Sequence, residues 1–130
     1  MTSRPIPVPL TLGHTDIDGD HQEFTEWLAR LEAASGAEFI QQFGQLTDHL
    51  SHHFERENTL MVQSSYPACT EHRGEHNRVL GEMTNFRARV ESGRVSFGRA
   101  YVLEQLPGWF DLHVTTMDAA LVEHLKRSQV

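Results

Sequence analysis

The stretch SHHFERENTLM, residues 51–61, lies in a helical pattern whose inward positions carry ionisable groups. From Phe39 the seam steps through Phe43, Leu46, Leu50, His53, Glu57 and Leu60, alternating four and three residues, the spacing of one buried helix face. A chain that turns His53 and Glu57 towards its own core must supply partners for them there. A buried carboxylate left alone costs several kcal/mol. That requirement constrains the fold more than any other feature of the chain.

This pattern is the second of four along the chain. The first follows Phe24, Trp27, Leu28 and Leu31, with Asp18 expected as its N-cap and Asp20 in its first turn; Ser35-Gly36 ends it. The second is expected over about residues 37–63 and is broken by Ser64-Ser65-Tyr66-Pro67. The third opens near Thr70, follows His72, His76, Val79, Met83, Phe86 and Val90, and closes at Glu91-Ser92-Gly93. A short helix within residues 97–105 precedes Pro107, which is expected to start the last helix over about 107–127. In that helix Phe110, His113, Met117 and Leu121 form one stripe, and Val114, Asp118, Leu121 and Leu125 a second beside it. No strand-like alternation is long enough to compete. The pattern predicts an all-α fold: an up-down-up-down antiparallel four-helix bundle over residues 18–130, a single domain. Residues 1–17, where Pro5, Pro7 and Pro9 alternate with Ile6, Val8 and Leu10, predict an extended N-terminal arm packed on the bundle.

Composition removes several functional classes. Cys69 is the one cysteine, so neither a disulfide framework nor a thiolate metal site is available. The formal net charge of −7 argues against a nucleic-acid partner. No apolar run reaches the roughly 18–20 residues of a membrane span, and the N-terminus lacks a secretory signal, so a cytoplasmic protein without membrane insertion is expected. Phosphate-cradling glycine motifs and a G-x-S-x-G elbow are missing.

The nine histidines are what remains to be explained. His21 extends the first stripe, His53 and Glu57 lie on the second, His72 and His76 on the third, and His113 on the fourth, with Asp118 five residues further on. In an antiparallel bundle the start of the first helix, the end of the second and the start of the third share one end. At 1.5 Å of rise per residue these donors fall within a layer of order 10 Å. Five imidazoles and two carboxylates at one depth call for a cation, which makes ionised carboxylates and neutral imidazoles the preferred states. Seven donors exceed one tetrahedral zinc and suit two octahedral-type ions sharing carboxylates; imidazole and carboxylate without thiolate suit iron. The i, i+4 pairs share a face, but His113 and Asp118 sit about 140° apart on a regular helix. Either Asp118 reaches round to the ions or a π-bulge aligns i with i+5, and the bulge is the favoured alternative.

The segments DIDGDHQEF, HFERENTLM, YPACTEHRGEH and WFDLHVTTMD together resemble the hemerythrins, specifically the bacterial single-domain ones, from about Gly13 to Leu125. The ordered pattern H…HxxxE…HxxxH…HxxxxD is complete at all seven positions. The resemblance implies two iron ions as cofactor. His72, His76 and His113 would hold one, His21 and His53 the other with a position left open, and Glu57, Asp118 and an oxo or hydroxo group would bridge them. It further implies reversible dioxygen binding at the open position, as carrier, store or scavenger, and no catalytic residues. An enzyme acting on peroxide or nitric oxide is the alternative, disfavoured because His49 alone offers acid–base chemistry beside the open site. An oxygen or redox sensor is the third reading, disfavoured because no output domain accompanies the bundle. Dioxygen is the expected partner, and a protein receiving it is not identified.

Phe24, Phe54, Trp109, Phe110 and Val114 flank the ligands and are the expected wall of an oxygen pocket. Phe110 stands where the family usually has Leu, and His49 where Tyr is common. His14, His52 and His124 are expected at the surface or beside the site, His49 as a partly buried neighbour, Cys69 as a bystander, and Glu55 and Glu75 as solvated charges.

Overall fold

Four helical runs make up nearly all of residues 11–128, the part of the chain that the computed structural model describes. They are α1 (Thr15–Ala33), α2 (Gly36–Gln63), α3 (Cys69–Glu91) and a last run over residues 95–128, here α4. No strand occurs among the described residues. Residues 1–10 of the expected arm lie outside them.

The first helix begins at Thr15 and not at Asp18, so residues 15–17 belong to the helix and not to an arm. His14 is the N-cap: its Nδ1 accepts the Ile17 N–H at 3.2 Å. The Asp18 carboxylate, already inside the helix, folds back to accept N–H groups from Leu12 (2.9 Å), Gly13 (3.0 Å) and His14 (3.2 Å). An acid in the first turn here satisfies the donors that lead into the helix, and an imidazole does the capping. Between α2 and α3, Ser65 takes a left-handed φ of 56°, and Gly93 with φ of 99° closes α3.

Pro107 does not start a separate helix. The backbone is helical on both sides of it, from Val95–Ala100 through a π-helical turn at Tyr101–Gln105 into Leu106–His113. In a regular helix the proline ring would clash with the carbonyl four residues back and leave it without a donor. The widened turn directly ahead of Pro107 absorbs that conflict, and the run continues. A second π turn, Val114–Asp118, leads into Ala119–Ser128.

Two apolar clusters fill the interior. The larger joins Phe24, Leu28 and Leu31 of α1 to Phe39, Phe43, Leu46, Leu50 and Phe54 of α2, Val79, Met83 and Val90 of α3, and Tyr101, Val102, Leu106 and Phe110 of α4. The smaller contains Ile17, Met61, Leu121, Val122 and Leu125, with Cys69 packed against it. Its members come from the start of α1, the end of α2, the start of α3 and the end of α4. That arrangement is the up-down-up-down bundle.

Packing near Gly98 leaves no space. A Cβ there would collide with Val90 Cγ2 and press on Phe43 Cε2 at 3.3 Å. We expect Gly98→Ala to destabilise the fold by roughly 1–3 kcal/mol, as overpacking does. Gly81, on an exposed turn of α3, meets nothing within 4 Å. Gly81→Ala should therefore stabilise by about 0.5–1 kcal/mol. Urea midpoints of the two variants, moving in opposite directions, check both.

Candidate metal centre

Between the two apolar clusters every helix carries polar side chains inward. His21, His53, Glu57, His72, His76, His113 and Asp118 are each at most 5% exposed. Ligand atoms of Glu57, His72, His76, His113 and Asp118 all lie within 4.8 Å of one another. His72 Nε2 and His113 Nε2 each stand 3.0 Å from Asp118 Oδ1, and His76 Nε2 stands 3.1 Å from Glu57 Oε1. None of these approaches has the alignment of a hydrogen bond: all of these nitrogens, with Glu57 Oε1 and Asp118 Oδ1, are buried without a partner. Buried polar atoms are nearly always paired, so a group of them converging on one space fits a metal ion filling that space.

The π turn at Val114–Asp118 resolves the spacing of the last two donors. One extra residue in the turn brings Asp118 onto the face of His113, and Asp118 then bridges outward to His21 Nε2 at 2.8 Å. His53 is the exception. Its ring lines the same cavity, but Nε2 faces Glu23 Oε2 at 3.4 Å and Asp20 Oδ1 at 3.7 Å, away from the five-residue group.

The charges follow from the crowding. Burial pulls the His72 imidazole down, but Asp118 and Glu57 outweigh it and push it up to about 9. Burial likewise opposes His21, and Asp118 raises it overall. Burial lowers His53 and His76. Burial also works against a charged Asp118, yet His113, His21 and His72 hold it well below the usual carboxylate range. A bound cation would favour ionised carboxylates and neutral imidazoles here, and would release the protons that these groups carry without it.

Aromatic rings orient the imidazoles. Phe54 stacks on His76 with centroids 3.9 Å apart, and Trp109 stacks on His113 at 4.7 Å. Phe110 meets His21 edge-on at 5.5 Å and Phe24 at 4.3 Å. Asn58 Oδ1 accepts from His76 Nδ1 at 2.9 Å, which fixes the tautomer and aims Nε2 at the cluster. A cavity of about 20 Å³, room for one molecule near water's size, sits against His21, His53 and His113. Phe24, Phe54, Trp109 and Phe110 are in its wall, as is Leu50; Val114 is buried in the apolar cluster beside it and is not a lining residue.

Three residues depart from the sequence expectation. Asp20 is buried, held by an ion pair with Arg56, and lines the cavity. His49, the expected acid–base candidate, is half-buried against Trp27 and is not among the cavity's lining residues. Glu75 is not a free solvated charge: it accepts the Trp109 indole N–H at 2.7 Å and pairs with Arg78 at 2.7 Å. His52 and Glu55 are exposed, and His124 is half-buried beside the Ser64 carbonyl oxygen. Asn58 and Asp20 were open to no sequence rule, because their neighbours across the bundle identify them.

Two outcomes follow from these contacts. Asn58→Ala frees the His76 ring and should weaken divalent-metal affinity roughly 10–100-fold in a chelator competition. Arg78 is the main cause, with Trp109 assisting against partial burial, of a Glu75 carboxyl lowered from 4.5 to about 2. A depressed carboxyl stabilises above its unfolded value and loses that stabilisation as pH falls through the folded one. Glu75→Gln should therefore lower stability at pH 7 by about 1 kcal/mol or less, Arg78 being half exposed. The gap to the parent should narrow below pH 4.5 and close towards about 2 in urea titrations.

Comparison with known proteins agrees with this geometry. Residues 12–125 match the family model described as "Hemerythrin HHE cation binding domain". The chain is 34% identical over 116 residues to the bacteriohemerythrin of Ralstonia nicotianae, covering 89% of this chain and 84% of that one. It is 25% identical over 121 residues to the bacteriohemerythrin of Stenotrophomonas maltophilia, covering 90% and 78%.

Proposed function

Since the chain belongs to the hemerythrin family, we propose that it binds dioxygen reversibly at a pair of iron ions, as a carrier, store or scavenger. His72, His76 and His113 would hold one ion, His21 and His53 the other, and Glu57 and Asp118 would bridge them. A ferrous pair supplies the two electrons that dioxygen takes up on binding. The observation that carries the reading is the set of seven buried donors, many without partners, five of which line one small cavity.

What the protein itself contributes is exclusion and orientation. Phe24, Phe54, Trp109 and Phe110 supply an apolar part of the wall and keep the space beside the donors small, with room for one small molecule. Phe110 packs on Phe24 with the rings tilted by 32°, where a smaller side chain would leave more room. Two divalent ions would bring four positive charges against the three negative ones of Glu57, Asp118 and a bridging hydroxide, a balance close enough to neutral to permit burial. Four-carboxylate bundles, by contrast, supply the anionic donors used in oxygen activation.

One observation favours the second reading, an enzyme acting on peroxide or nitric oxide. Asp20 places a carboxylate in the cavity wall, where the sequence offered His49 as the one acid–base candidate. Arg56 holds that carboxylate as an ion pair, so carriage is the function we favour.

The test is anaerobic loading with ferrous iron followed by cycles of oxygen and argon. A visible charge-transfer band should appear with oxygen, vanish under argon and return over repeated cycles, with two iron ions per chain. Irreversible oxidation without that band would sink the oxygen reading. Turnover of peroxide well above the autoxidation rate, lost in Asp20→Asn, would establish the enzyme instead.

A further inference from the structure

A second group of metal-type donors lies on the outer side of His53. Glu23 Oε2 is 3.6 Å from His49 Nδ1 and 3.4 Å from His53 Nε2, and the three ligand atoms lie within 4.8 Å of one another. Their exposure is graded: the Glu23 side chain is 51% exposed, that of His49 42%, and that of His53 6%. His49 and His53 are four residues apart on one face of α2, and Glu23 reaches them from α1.

The spacing suits an ion. With bonds of 2.0–2.2 Å, neighbouring donors are about 3.0 Å apart round an octahedral ion and about 3.4 Å round a tetrahedral one. Two imidazoles and one carboxylate on one side, with open positions on the other, is a donor set associated with ferrous iron. A groove at the surface, lined by Glu23, Glu26, Trp27, Arg30 and His49, gives solvent access to the outer side. The nearby cations do not compete, since Arg30 lies over the Trp27 ring and Arg56 is paired with Asp20.

We propose that Glu23, His49 and His53 form an entry site that captures a ferrous ion from solvent before it moves to the buried donors. His53 belongs to both places. Its ring lines the inner cavity while its Nε2 faces Glu23, so a turn of the ring carries that donor from the outer group to the inner one. The inference rests on the reading of the buried cluster as an iron centre, but it concerns how the ion arrives.

Two measurements on the metal-free protein test it. Anaerobic loading with ferrous iron is followed in the parent, Glu23→Gln and His49→Gln. Both variants should reach the same final iron content with loading slowed about tenfold, the lower end of what local charge focusing contributes. Parent-like loading rates in both would overturn the proposal. In parallel, substoichiometric Mn²⁺ should broaden the His49 ring signals while those of His52, exposed on the same helix, stay sharp. Glu23→Gln should abolish the difference. Equal broadening of both histidines, or broadening of His49 that survives Glu23→Gln, would overturn the entry site. A parent protein that takes up no iron but shows the selective Mn²⁺ effect would leave a surface metal site at these three residues, overturn its role in iron entry and sink the oxygen reading.

Discussion

Everything in this fold answers to one constraint: a layer of ionisable side chains is buried between two apolar clusters. Each helix passes from the larger cluster through this layer to the smaller one. In α1 the sequence runs from Ile17 through His21 to Phe24, and in α2 from Phe54 through Glu57 to Met61. The apolar ends hold the helices together, while the middle layer, with its unpaired nitrogens and oxygens, works against folding unless a cation or protons occupy it. Stability and metal binding are therefore one free-energy balance in this chain.

The constraint is strong enough to deform a helix. Asp118 and His113 both have to face the layer, and a regular helix cannot present i and i+5 on one side. The π turn at Val114–Asp118 solves this at the cost of poorer backbone geometry in that turn. The other π turn, at Tyr101–Gln105, has a different cause, the ring of Pro107. One irregularity serves the site and the other serves the chain's continuity, and only the first could be inferred from a functional pattern.

That difference marks how far the sequence could be read. The four helices and the seven inward donors were legible because heptad spacing reports burial directly, and a histidine at a seam position needs an explanation. The favoured π-bulge followed from the same arithmetic. What escaped depends on atoms brought from elsewhere in the bundle. Asp18 has the composition of an N-cap, but His14 holds the role because Asp18 is drawn to the amides of Leu12 and Gly13. Glu75 lies off the seam and was read as solvated, yet the Trp109 indole reaches it from α4. Asp20 looked like a first-turn acid and is buried because Arg56 on α2 neutralises it. Periodicity places a side chain on a face and is silent about which neighbour meets it.

The two halves of the donor layer are not equivalent in how their rings are held. On one side the rings are fixed: His76 by Phe54 and Asn58, and His113 by Trp109. On the other, His21 is held by Asp118 and the edge of Phe110, and His53 by charged groups at 3.4 Å or more. The cavity lies against His21, His53 and His113, and His72 and His76 are not in its wall. The rings fixed by aromatic stacking and the rings held by polar contacts are thus divided by packing, before any ion is considered, and that division follows from which imidazoles the aromatic rings of α2 and α4 cover.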